Sequence, residues 1–189
     1  MKDVIQTSVA IANELAENLA RIDTGAADAL IDAILSAKRV FSAGCGRSLL
    51  MIRGLAMRLM HLGLTSYVVG ETVTPAVAPG DLLIIGSGSG ETGSLVTMAQ
   101  KAKKLGVKIA LITIYPDSTL GNLADIVLRI PGTTGKSEKD SGIVSVQPGG
   151  NMFEQSMLLF GDALVICLAD RAGMQLNDAS IMSRHANLE

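Results

Sequence analysis

The stretch Leu82-Leu83-Ile84-Ile85-Gly86-Ser87-Gly88-Ser89-Gly90-Glu91-Thr92 decides the fold class. Its first half is a continuous apolar run, the pattern of a strand buried on both faces rather than the alternation of a half-exposed one. The run ends in a turn of glycines and hydroxyls, and helical periodicity follows from Thr92 to Leu105. Lys101, Lys103 and Lys104 lie near the C-terminal end of that segment, where the helix dipole favours cations. Strand, small-residue turn and helix in succession form the repeating unit of a parallel sheet. Glycines let such a turn close tightly and let a ligand approach the backbone. Hydroxyls and free N–H groups at a helix N-terminus favour an anion there.

Working outward, the same texture recurs. Val40–Ala43, Ser66–Val69, Lys108–Ile114 and Ile126–Ile130 read as further strands, and Ser48–Leu62 as a helix. A second small-residue turn, Gly44-Cys45-Gly46-Arg47-Ser48, follows the first of these strands. Neither turn continues into the Gly-Lys-Ser/Thr of a nucleotide-binding loop or matches Gly-x-Gly-x-x-Gly. Two such turns at strand C-termini, where open parallel sheets place ligands, favour a phosphate site over a plain turn. Towards the N-terminus, Ile5, Ala12, Leu15, Leu19 and Ile22 recur at helical spacings, with Thr24-Gly25 interrupting. A second helix carries Leu30, Ile31, Ile34 and Leu35 on one face. Beyond the last strand, Pro131 to Pro148 reads as a mobile surface loop containing Gly132, Gly135, Ser137, Ser141 and Gly142, with a short strand at Ile143–Val146. A long apolar helix follows, Asn151 to Arg171, ended by Gly173. An amphipathic turn near Asp178 to Arg184 closes the chain. No composition shift or repeat divides it, so a single domain over 1–189 is expected.

Composition narrows the function. The 189 residues are 48% hydrophobic and 18% charged, which excludes a disordered chain. A chain of this length buries about 70% of its unfolded surface and needs no disulfides. Aromatics are 3%, Trp is absent and the net charge is −2, so neither stacking platforms nor a basic field predicts a nucleic-acid partner. No run reaches the length of a membrane span, and the acidic N-terminal segment, with Asp3, Glu14 and Glu17, does not read as a signal peptide. Cys45 and Cys167 form no disulfide framework or metal spacing, and with two histidines no zinc site is expected. The expectation is a cytoplasmic protein with reduced thiols. A mean hydropathy of +0.39 points to subunit contacts.

The Ser87–Thr92 turn resembles the phosphosugar-binding signature of the sugar isomerase (SIS) domain family. Gly46-Arg47-Ser48, Ala56 to Gly63, Val69-Gly70-Glu71-Thr72-Val73-Thr74-Pro75, Pro148 to Gln155 and Arg184 to Leu188 extend the likeness over almost the whole chain, and resemble the 6-phospho-3-hexuloisomerase branch of that family. Two departures are Gly149-Gly150 before Phe153-Glu154, and a longer, more polar loop at Gly132–Ser141. The resemblance implies a flavodoxin-like three-layer α-β-α sandwich, a five-stranded parallel sheet with an extended N-terminal helix. It also implies that residues 1–37 build a homotetramer with active sites near subunit interfaces, while 38–189 bind a phosphorylated sugar. The implied reaction interconverts 3-hexulose 6-phosphate and fructose 6-phosphate.

Moving a carbonyl from C3 to C2 needs a base for the C2 proton, a cis-enediol intermediate and donors for the developing oxyanion. This chemistry calls for no metal, nucleotide or redox cofactor. Glu154, at the start of an apolar helix, is the expected base, activated by partial desolvation; from pattern alone a first-turn Glu favoured by the helix dipole is the better reading, and the resemblance reverses that. His185 is expected as proton shuttle or ring opener, since related isomerases bring a C-terminal His into the site across a subunit boundary. His61 stands about 20 Å along its helix from Ser48 and is held in reserve as a second catalytic candidate, or as a structural or interface residue. The expected phosphate and substrate contacts are Gly46, Arg47, Ser48, Ser87, Gly88, Ser89, Glu91 and Thr92, with Arg47 also readable as a surface cation. Glu71 and Thr72 would shape the sugar pocket or cap a loop. Competing readings are an isomerase of another phosphosugar, a non-catalytic phosphosugar sensor, for which no basic helix-turn-helix region is seen, and a structural oligomer.

Overall fold

The structure is a computed structural model that describes residues 3–135 and 141–188. Its elements in chain order are α1 (Val4–Leu19), α2 (Thr24–Ser36), β1 (Val40–Gly44), α3 (Gly46–His61), β2 (Ser66–Val68), β3 (Leu82–Gly86), α4 (Gly93–Lys104), β4 (Lys108–Thr113), α5 (Thr119–Leu123), β5 (Ile126–Arg129), α6 (Asn151–Arg171) and α7 (Asp178–Met182). All five strands are parallel, in the order β2-β1-β3-β4-β5. This is the doubly wound α/β sandwich expected, and the five sheet strands lie within a residue of their expected ends.

The continuous apolar runs arise because both faces of the sheet are covered. Along β3, Leu82 and Ile84 enter a core shared with Leu30 and Ile34 of α2, Ile52 and Leu59 of α3 and Leu164 of α6. Leu83 and Ile85 point the other way, into a core with Leu95 and Ala99 of α4 and Leu120 of α5. The period-2 geometry of a strand therefore sends alternate residues into two different cores. By length and composition α6 could cross a membrane. Here it is a core helix, with Met152, Phe153, Met157, Leu164 and Leu168 buried.

Three local expectations are corrected. The first helix ends at Leu19, and Thr24-Gly25 form the first turn of α2 rather than the break. The break falls before Asp23, whose extended backbone and carboxylate cap the new helix at the N–H of Ala26. Ile22 consequently lies in the connection. Ile143–Val146 is not a strand; the Val146 N–H is taken by the Glu14 carboxylate instead of a ladder partner. The short α5, with Ser118 as its cap, was not anticipated. Part of the expected loop, residues 136–140 including Ser137, lies outside the described residues.

Candidate active site

The strand order fixes where a ligand can sit. It reverses between β1 and β3, and in open α/β sheets the crevice at the carboxyl ends of those two strands is the ligand site. The turns after β1 and β3 both open there. With the first turn of α6 they line a cleft of about 300 Å³.

Three helices start at this cleft: α3 at Gly46, α4 at Gly93 and α6 at Asn151. None of their N-cap residues, Cys45, Thr92 and Gly150, makes a side-chain capping bond. The other four helices are all capped by a side chain, from Asp3, Asp23, Ser118 and Asn177. The first N–H groups of a helix need acceptors; the Asn151 N–H of α6 donates to the Pro148 carbonyl (3.4 Å), while the starts of α3 and α4 carry no side-chain cap and suit an anion, with three helix dipoles adding their field.

The turn after β3 is built to present hydroxyls. The buried Ser87 Oγ accepts from the Gly90 N–H (3.3 Å) and Ser89 Oγ from the Glu91 N–H (3.2 Å), which leaves each hydroxyl hydrogen to donate towards the cleft. The Gly88 carbonyl accepts from the Ile114 N–H and the Thr113 hydroxyl, tying the turn to the end of β4. Only glycine fits at position 90: its φ is +67°, and a Cβ there would lie 2.0 Å from Ser118 Oγ.

On the opposite wall, Glu154 in the first turn of α6 meets Arg47 in the first turn of α3. Arg47 Nε stands 2.8 Å from Glu154 Oε2, the carboxylate 14% exposed and the guanidinium 47%. The carboxylate is largely buried, as a partly desolvated base would be, and it also has an arginine counter-ion within hydrogen-bond reach.

Of the expected site residues, Gly46, Arg47, Ser48, Ser87, Gly88, Ser89, Thr92 and Glu154 line the cleft together. Glu91 does not; its carboxylate accepts from the Thr119 N–H (2.9 Å) and holds the start of α5. Glu71 is paired with Arg53 of α3, both about half exposed, and neither it nor Thr72 lines the cleft, which favours the loop reading of that segment. His61 and His185 stand at the far end of α3, about 21 Å from Arg47 by helix rise. Their rings stack at 5.6 Å, and Arg184 donates to the His61 carbonyl (3.3 Å). Burial, then Arg58 and His185, push the His61 imidazole below its ordinary value. Neither histidine reaches the cleft of its own chain. Thr134, Gly135 and Gly149 line the cleft and were missed. The signal was their position after β5, at the same carboxyl edge, where Thr133 Oγ1 donates to the Gly149 carbonyl (2.7 Å) and closes the base of the loop.

In chemical terms the cleft offers an anion cradle on one side and a carboxylate–guanidinium pair on the other. Residues 33–146 match the SIS domain family. The chain is 47% identical to a 3-hexulose-6-phosphate isomerase of Bacillus subtilis (strain 168), over 95% of each chain. It is 42% identical to a 3-hexulose-6-phosphate isomerase of Mycobacterium gastri, over 99% of this chain and 92% of the relative. Among solved structures, a hypothetical protein of Methanococcus jannaschii, whose crystal structure infers a function of 3-hexulose-6-phosphate isomerase, superposes with a TM-score of 0.82. It is 34% identical, over 97% of this chain and 99% of that one.

Proposed function

We propose, from the premise that this chain belongs to the SIS domain family and is a phosphosugar isomerase, that it interconverts 3-hexulose 6-phosphate and fructose 6-phosphate with Glu154 as the base. The observation that carries this reading is the pairing, in one cleft, of an uncapped, hydroxyl-lined anion cradle with the Glu154–Arg47 pair. The names carried by the relatives support the substrate.

The sugar's 6-phosphate accepts hydrogen bonds from Ser87, Ser89 and the free N–H groups at the starts of α3 and α4, which leaves the C2–C3 end for the opposite wall. Glu154 removes the proton on C2 of the 3-ketose. The C–H electron pair forms the C2–C3 double bond, and the C3 oxygen takes up a proton to give the cis-enediol. The C2 hydroxyl then releases its proton as the C2 carbonyl forms, and C3 receives the proton held by Glu154. Arg47 stabilises negative charge on the enediolate oxygens, where fixed donors lower the barrier most. His185 belongs to a neighbouring subunit's cleft, as proton shuttle or ring opener for fructose 6-phosphate. This calls for a homotetramer assembled through residues 1–37. The exposed Val4, Ile5 and Val9 of α1 support such contacts.

A coupled assay tests the reading, with 3-hexulose 6-phosphate generated in place and fructose 6-phosphate formation followed. Turnover is expected in the parent protein and not in Glu154→Gln. Tight fructose 6-phosphate binding without turnover would favour a sensor.

A further inference from the structure

We infer that Glu14 and Asn18, one turn apart on α1, are positioning residues that hold the Glu154 wall of the cleft. Asn18 is 2% exposed and lies on the helix expected to serve only subunit contacts. Its Nδ2 donates to the Pro131 carbonyl (2.8 Å) and to Ser156 Oγ (2.9 Å). Pro131 begins the segment that brings Thr134 and Gly135 to the cleft, and Ser156, fully buried, lies two residues beyond Glu154. Glu14 grips the other flank of the same loop: Oε1 accepts from the Val146 N–H (2.8 Å), and Oε2 accepts from Ser145 Oγ (2.9 Å) and Gln147 Nε2 (3.4 Å). Gln147 leads directly into Pro148-Gly149-Gly150, the turn that starts α6.

Both flanks of the loop and the second turn of α6 are thus tied to one face of α1. The Gly149-Gly150 pair has little stiffness of its own, because glycine leaves many backbone states open. Core packing sets the axis of α6 and Thr133 holds the Gly149 carbonyl; Glu14 and Asn18 are joined to both sides of the turn and complete the fixing of how Glu154 is presented. Asn18 is not an economical stabiliser: its Oδ1 is buried without a hydrogen-bond partner among the described residues, a cost that an apolar side chain would avoid. What the amide supplies is a fixed geometry between α1, Pro131 and α6. The cradle after β3 is hydrogen-bonded to β4 instead, so the clamp's own hydrogen bonds lie on the carboxylate side of the cleft.

The inference rests on Glu154 being the base, and the experiment separates the two. Asn18→Leu, Glu14→Ala, Glu14→Gln and Glu154→Gln are compared with the parent for kcat, KM, fructose 6-phosphate affinity and Tm. Asn18→Leu and Glu14→Ala are expected to lose about 10- to 100-fold in kcat, the scale of a small misplacement of a reacting group. KM and fructose 6-phosphate affinity should stay within about threefold, as for an interaction made only in the transition state. Glu14→Gln keeps an oxygen for the Val146 N–H and should recover part of the loss. Parent-like kcat in both Asn18→Leu and Glu14→Ala would overturn the clamp, as would a loss of kcat matched by an equal loss of affinity. If Asn18→Leu does not fold, the partly buried Glu14 decides alone. Full turnover in Glu154→Gln would overturn the reading of the base, whatever the clamp variants do.

Discussion

Ser89 has two tasks, accepting the Glu91 N–H and, in the proposed mechanism, donating to the phosphate. Removing its hydroxyl loses a hydrogen bond to a charged group, worth about 1.5–3 kcal/mol. Ser89→Ala should therefore weaken fructose 6-phosphate binding by about 10- to 100-fold by calorimetry, and Ser87→Ala comparably; unchanged affinity in both would remove the phosphate from this turn. Gly90→Ala is expected to fail differently. The left-handed backbone alone costs about 1–3 kcal/mol for a side chain, and the collision with Ser118 Oγ adds to it. Its urea midpoint should fall along with ligand affinity. A parent-like midpoint would mean that the turn can relax at little cost.

At the scale of the elements, Asp81 at the entry to β3 gives a pH prediction. The Arg39 guanidinium, donating from Nε (3.0 Å) and Nη2 (2.6 Å), holds its carboxyl below the ordinary value of 3.8; burial pushes the other way, and the Ala78 N–H adds to the lowering. A depressed acid stabilises the fold at pH values above its unfolded value, and that contribution disappears as pH falls through the folded value. Asp81→Asn should cost about 1.5–3 kcal/mol at pH 7 by chemical denaturation, with the gap to the parent closing below about pH 3–4. A gap independent of pH would mean that packing, not charge, sets the loss. The elements themselves were legible wherever burial on two faces wrote a continuous apolar run, as in Leu82–Gly86 and Lys108–Thr113, or where a small-residue turn opened a helix, as at Gly46. What stayed hidden depends on side chains distant in sequence. Ile143–Val146 has strand composition, but Glu14 takes its backbone donor. Asn18 reads as an unremarkable helix polar residue until Pro131 and Ser156 meet it. Glu91 and Glu71 belong to matching motifs, yet their carboxylates are spent on the Thr119 N–H and on Arg53. The uncapped starts of α3, α4 and α6 line the candidate site, and their convergence follows from the strand order.

For the whole molecule, exposed apolar side chains on α1, α3 and α6, among them Ile5, Leu50, Met57, Leu159 and Ile166, are the surface that the proposed subunit contacts would cover. Sedimentation at micromolar concentration should give a tetramer; a single 19.6 kDa species would contradict that assembly and strand His185 away from any cleft. Below the ordinary 6.5 of the His61 imidazole its depressed value also matters: the folded chain resists the proton that the unfolded chain accepts, so stability should decline as pH falls from about 6.5, and His61→Gln should flatten that decline. The central claim is that Glu154 carries a proton to and from sugar carbon in a cleft that holds the phosphate independently. The most direct test is exchange of the sugar's C–H protons with deuterated water, followed by NMR in the parent and in Glu154→Gln. The account predicts label entering C2 or C3 in the parent and, in the variant, a loss of at least about 10²–10⁴-fold in exchange with fructose 6-phosphate still bound. Exchange persisting in Glu154→Gln at the parent rate would contradict it.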